Sequence, residues 1–171
     1  MRLIKWGVPP SPSSDFWRSH LRYTLPLLVW LGIMFFMSGG AGSADNTNPV
    51  VNSLLRKFFP WLANQLTPEM VDRVDFNIRK TAHVTEYAIL ATLLFRAFTR
   101  GRSTFRNGDV LWPLILGIAW AAGDEYHQSF IPSRWAAAAD VFFDTTGVIL
   151  GLMLCLWRWL WKSQSSNNKP S

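Results

Sequence analysis

Residues 138–161 read AADVFFDTTGVILGLMLCLWRWLW, and their reading decides the fold. Apart from Asp140 and Asp144 near the start and Arg158 near the end, every side chain here is apolar, absent or a threonine hydroxyl. Wound as an α-helix, the stretch is ~36 Å long, enough to cross a hydrocarbon layer of ~30 Å. Trp157, Trp159 and Trp161 crowd its far end, the place where indole rings anchor a helix at the headgroup level. Asp140, Asp144, Gly147 and Gly151 recur at helical spacing and share one narrow stripe. Glycines on that stripe let a neighbouring helix come close, while the two carboxylates project from the same face. The stretch is therefore expected to be a transmembrane helix packed inside a bundle.

Working outward, three more apolar runs are expected to span: Tyr23–Ser38, about Lys80–Phe98, and Val110 to about Phe130. The fold class is all-α, a polytopic membrane protein of four transmembrane helices. The first run is short and has a cleaved signal peptide as its rival. The residues ahead of it and the poor small-x-small site in Gly39–Ala44 favour an uncleaved span. Gly39–Asn48 reads as a loop. From Val50 to Leu66, Val51, Leu54, Leu55, Phe58, Phe59 and Leu62 keep helical spacing, broken at Pro60. That predicts amphipathic turns lying on the extracytoplasmic membrane surface between the first two spans. Thr67-Pro68-Glu69 has the order of a helix start: N-cap, proline at the first position, acid in the first turn. Arg100–Asn107 reads as a basic turn, and Pro132 and Trp135 mark another. The organisation expected is a basic cytoplasmic tail over 1–22, the membrane domain over 23–161, and an unfolded polar tail over 162–171.

Composition agrees. Hydrophobic residues make up 49% and charged residues 16%, against about 25% charged in soluble domains. The net charge of +6 is carried at the ends of apolar runs, which points to membrane lipid headgroups as partners and away from nucleic acid. The single cysteine, Cys155, excludes an internal disulfide and reads as a small hydrophobe. Arg2, Lys5, Arg18 and Arg22 precede the first span. Arg96, Arg100, Arg102 and Arg106 follow the second, and Arg158, Lys162 and Lys169 close the chain. Arg134 stands alone after the third. By the positive-inside rule both termini are cytoplasmic and the Arg134 loop faces outward; the cations between the first two spans lie in a long segment mixed with acids and count for less.

On that topology three sequence-distant clusters meet at the outer end. Lys80, His83, Glu86 and Tyr87 fall within an arc of about 120°. Asp124, His127 and Gln128 share a face with Glu125 at its margin, and Asp140 and Asp144 begin the last span. Acids outnumber bases, so either some carboxylates are protonated or a cation binds. His83, His127 and the carboxylates offer nitrogen and oxygen ligands of the kind zinc or manganese takes. No H-E-x-x-H or other defined metal spacing occurs, and the metal and any cofactor stay open.

The segments RKTAHVTEY at 79–87 and GDEYHQSFIP at 123–132, then Arg134 and Asp140 ahead of Gly147 and Gly151, resemble the VanZ-like family, named for a teicoplanin-resistance protein of bacteria. The resemblance covers about Lys80–Gly151, with a weaker match at Phe36-Met37-Ser38. It implies a multi-pass protein of the cell envelope, linked to glycopeptide or lipopeptide resistance, and it implies no particular reaction. One departure is Asp144, where that family usually has asparagine.

Three roles are compatible with these residues. A membrane-embedded hydrolase or transferase acting on an envelope lipid would use His83, Glu86, Asp124, Glu125, His127 and Asp140 as its catalytic set, with Lys80, Gln128, Arg134 and Asp144 binding substrate. A binding protein would hold an amphiphilic lipid or peptide headgroup with the same groups. A structural protein would use the cluster only to lock its helices. The orientation is tested first: reporter fusions at Ser171 and after Arg100 should both read cytoplasmic, and an outside reading at either reverses every assignment of depth.

Overall fold

A computed structural model describes residues 14–39, 43–102, 104–132 and 138–167. Arg134, Trp135, and the basic residues Arg2, Lys5 and Lys169 lie outside the described residues. All regular structure among the described residues is helical. Helix α1 (Ser14–Ser19), a π-helical turn (His20–Thr24) and α2 (Leu25–Ser38) run on as one rod. The π turn falls just ahead of Pro26, which cannot donate to the carbonyl of Arg22 and would clash with it in a regular helix. The N–H of Leu25 bonds instead to the carbonyl of His20. An irregular tail reaching Arg22 is thus corrected from Ser14 onward, because the helix-breaking prolines end at Pro12.

The expected Gly39–Asn48 loop is also shorter than it reads. Helix α3 (Ala44–Phe58) begins behind Ser43, whose carbonyl accepts from the N–H groups of Asn46 and Thr47 at 3.1 and 3.0 Å. Asp45 in the first turn suits the positive end of the helix dipole. Pro60 ends α3 and starts the single turn α4 (Pro60–Ala63). Helix α3 packs on α5, with Val51 and Val71 buried and Asn48 donating to Asp72. Val50, Leu54, Phe58, Phe59 and Trp61 remain exposed.

Helix α5 (Pro68–Thr99) starts where Thr67 caps it, the threonine hydroxyl accepting from the N–H of Met70 at 3.4 Å. It closes on Arg100 and Gly101, both at positive φ, and a side chain at 101 would strike the Tyr23 hydroxyl. Arg102 then folds back: its guanidinium donates to the carbonyls of Phe98 and Thr99 and pairs with buried Asp109 at 2.7 Å. That interaction caps α5 and fixes the entry into α6 (Gly108–Gln128). Helix α7 (Ala138–Asn167) continues beyond Trp161, where an unfolded tail was expected. No proline or glycine interrupts the sequence before Pro170.

Helix α5 is the hub, packed by α2, α3, α6 and α7. Tyr87, Leu90, Ala91, Leu94 and Phe95 of α5 meet Met34 of α2, Ala121 of α6, and Val148 and Leu152 of α7 in one core. Gly147 lies against the backbone carbonyl of Val84, and Gly151 against that of Ala88. Both pairs advance in the same direction, so α7 runs parallel to α5 in backbone contact.

The distribution of polarity is inverted relative to a water-soluble domain. Asp75, Asp109, Asp124, Glu125, Gln128 and Asp144 are buried, while Leu28, Phe36, Trp112, Ile115, Phe142, Leu150, Met153 and Trp161 are exposed. Two helical segments, Trp17–Ser38 and Ala139–Gln164, have the length and apolar composition to cross a membrane. Helices α5 and α6 carry charges that dilute their hydropathy, and several of these are turned inward.

The glycine contacts set the stability prediction. Gly151→Val places atoms where the Ala88 backbone stands and should destabilise by about 1–3 kcal/mol through overpacking. Gly32→Ala, which meets nothing within 4 Å, should be neutral or stabilising by up to ~1 kcal/mol. Unfolding of the full-length protein in detergent measures both, and equal behaviour of the two variants would remove the close α5–α7 contact.

Candidate functional site

The polar side chains gather where α2 ends, α5 is mid-course, α6 ends and α7 begins. Three α5–α7 and α2–α6 links define the place. Lys80 pairs with Asp140, and its ammonium also lies 5.2 Å from the Phe76 ring centroid and 5.5 Å from that of Phe143. One turn deeper, His83 Nδ1 lies 3.6 Å from an oxygen of Asp144, an ion-pair distance rather than a hydrogen bond. On the other flank, His127 Nδ1 and the Ser38 hydroxyl are 3.4 Å apart, and the imidazole stacks on Phe35 with centroids 4.8 Å apart.

Helical spacing explains why these groups meet. Lys80 and His83 are three residues apart, Asp140 and Asp144 four, so each pair occupies one helix face. The parallel register set by Gly147 and Gly151 brings the two faces into line. Asp144 is 1% exposed and has His83, Asp124 and Asp140 as its electrostatic neighbours. Tyr87, one turn along α5 from His83, is fully buried.

A pocket of about 80 Å³ opens on this cluster, lined by Met34, Met37 and Ser38 from α2, Thr47 from α3, Arg79, Ala82, His83 and Glu86 from α5, and Asp124 from α6. A second, apolar groove of about 410 Å³ runs between α2 and α6 along Phe35, Leu116, Ala119, Trp120 and Gly123, and ends at Asp124 and His127. Asp124 is common to both. Its carboxylate accepts from the Gln128 amide at 2.9 Å, which fixes its orientation. Trp30 bonds through its indole N–H to the backbone carbonyl of Glu86 at 3.1 Å and ties α2 to the pocket wall.

The structure brings His83, Glu86 and Asp124 together in one pocket, His127 to its α2–α6 flank, and Asp144 behind His83. Lys80 and Asp140 are engaged with one another beside it. Gln128 is 2% exposed and donates to Asp124. Glu125 is buried but does not line the pocket. Arg134 lies outside the described residues. Arg79, the first residue of the RKTAHVTEY segment, lines the pocket and bonds through Nε to Asp75 at 3.0 Å. The i,i+4 spacing of Asp75 and Arg79 is the sequence signal for that pair. Thr47 has no such signal, because only the packing of α3 on α5 delivers it. Among the described residues, no group of three or more His, Cys, Asp or Glu side chains has the geometry to hold a metal ion.

The model of a family described as VanZ/LLP1 matches residues 23–161. Neither a curated protein nor a solved structure matches the chain.

The Lys80–Asp140 pair, with both side chains about one-fifth exposed, predicts energetic coupling between α5 and α7. Lys80→Met and Asp140→Leu should each destabilise, and the double variant should recover part of the loss, with a coupling of about 0.5–3 kcal/mol. Additive effects in a detergent unfolding cycle would show that the pair does not join the helices.

Proposed function

The chain belongs to the VanZ/LLP1 family, and on that premise we propose that it is a four-span protein of the cell membrane that captures an amphiphile at its outer face. Helices α2, α5, α6 and α7 are the spans, both termini are cytoplasmic, and α3–α4 lies along the extracytoplasmic surface with its exposed Leu54, Phe58, Phe59 and Trp61 toward lipid. The length of α5 supports this arrangement. Its 32 residues make ~48 Å of helix, well beyond a ~30 Å hydrocarbon layer, so its N-terminal turns project out to meet α3. Lys80 and Arg96 are separated by ~24 Å along the same helix, which suits one near each interface.

The observation carrying the function is that Asp124 borders both a small polar pocket and an apolar groove. An apolar channel that ends on acids and imidazoles fits a ligand with a hydrophobic chain and a polar head. The chain lies along Phe35, Leu116, Ala119 and Trp120, where burial contributes about 25 cal/mol per Å² of apolar surface. The head meets His83, Glu86, Asp124 and His127. Acceptors predominate there, so the preferred head is rich in N–H or O–H donors, such as the amine, amide or sugar hydroxyls of a glycopeptide or lipopeptide or of an envelope lipid. Binding and sequestration account for resistance to such compounds without a chemical step.

Glu86→Gln and His127→Ala should each weaken capture while the protein still accumulates in the membrane. Loss of a hydrogen bond to a charged group, about 1.5–3 kcal/mol, corresponds to roughly tenfold to a hundredfold in affinity. The test pairs susceptibility to a lipid-tailed glycopeptide with membrane abundance and detergent melting of each variant. A wild-type susceptibility profile with lowered melting would make the cluster a helix lock and defeat the binding reading.

A further inference from the structure

At the end of the bundle away from the polar pocket, a groove of about 890 Å³ lies between the C-terminal turns of α5 and the second half of α7. Its chemistry is unlike that of the outer site. Arg96, Arg158 and Lys162 line it together with Trp157, Trp159 and Trp161, and no carboxylate is among the lining residues. Arg96 comes from α5 and Arg158 and Lys162 from α7, so cations from two different helices line the one groove. Arg96 and Arg158 are exposed, as are Trp157 and Trp161. Phe95, Leu154 and Cys155 supply an apolar floor that continues toward the middle of the bundle.

We propose that this groove is a binding site for the phosphate headgroup of an anionic membrane phospholipid. The Arg96 and Arg158 guanidiniums, in a groove with no carboxylate among its lining residues, create a positive field, and a guanidinium presents planar paired donors that match phosphate oxygens. Indoles rim the site at the depth where headgroups meet acyl chains, and the apolar floor takes the first methylenes of a lipid chain. Basic pockets between helix ends at the membrane surface select anionic headgroups in this way. The site rests on the membrane reading alone and is independent of what the outer pocket binds.

The test uses full-length protein in detergent with added phosphatidylglycerol or phosphatidylcholine, reading retained lipid by native mass spectrometry. Wild type should retain phosphatidylglycerol in preference to phosphatidylcholine. Arg96→Gln and Arg158→Gln should lower that preference by about fivefold for each cation removed, and Arg158→Lys should keep more of it than Arg158→Gln. Arg100→Gln with Arg106→Gln, which removes cations at the same end but outside the groove, should leave the preference unchanged. Equal losses in the groove and control variants would mean diffuse surface attraction and overturn the site. A wild-type protein without preference would overturn it as well. Displacement of the bound lipid by millimolar inorganic phosphate would identify a free-phosphate site instead and count against a lipid ligand. Melting of each variant within a few degrees of wild type excludes misfolding as the cause, and the susceptibility assay of the outer pocket should not change.

Discussion

The backbone contact of α7 on α5 sets the position of nearly everything else. Gly147 and Gly151 have no side chain to hold the helices apart, and they seat against the carbonyls of Val84 and Ala88. Four residues on one helix match four on the other, which locks a parallel register. From that register it follows that Asp144 faces His83 and Asp140 faces Lys80. A bulkier residue at either glycine would separate the helices and pull both carboxylates from their partners. The same contact encloses Tyr87, Leu90 and Val148, so core and site depend on one interaction.

Charge burial in this bundle is compensated in two different ways. Two buried acids have a dedicated cation: Arg79 for Asp75 and Arg102 for Asp109. Removing one partner of such a pair leaves an uncompensated charge, at a cost of about 3–5 kcal/mol when fully buried. Those pairs link successive turns of α5 and hold the α5–α6 turn in place. Around Asp124, acids and imidazoles instead share a pocket wall and face an opening. There the Gln128 amide donates to Asp124, and His83 lies 3.6 Å from Asp144, a looser arrangement than the two arginine pairs. The contrast separates scaffold charges from candidate ligand-binding ones.

The helical class, the Thr67 cap, the break at Pro60 and the polar stripe on α7 were legible because each is a local rule of spacing or backbone chemistry. Helix ends were less legible. One helix already begins at Ser14, another at Ala44, and the last runs on to Asn167, since polar side chains do not break a helix unless proline or glycine accompanies them. The candidate groups on α5, α6 and α7 could be listed from their spacing. Their pairing could not: Lys80 meets Asp140 and Gln128 meets Asp124. Arg79 and Thr47 entered the pocket only through folding.

By itself the sequence determined what periodicity and composition can encode: apolar helices, clusters of acids and histidines at recurring helical spacings, tryptophans and cations closing α7, and glycines on its acid-bearing stripe. Only the tertiary structure decided which acid meets which base, that α3 closes the pocket, and that an apolar groove reaches Asp124. Those outcomes depend on interhelical register and on the space left between packed side chains. Both are properties of pairs of helices distant in the chain, and no local pattern in either helix specifies them.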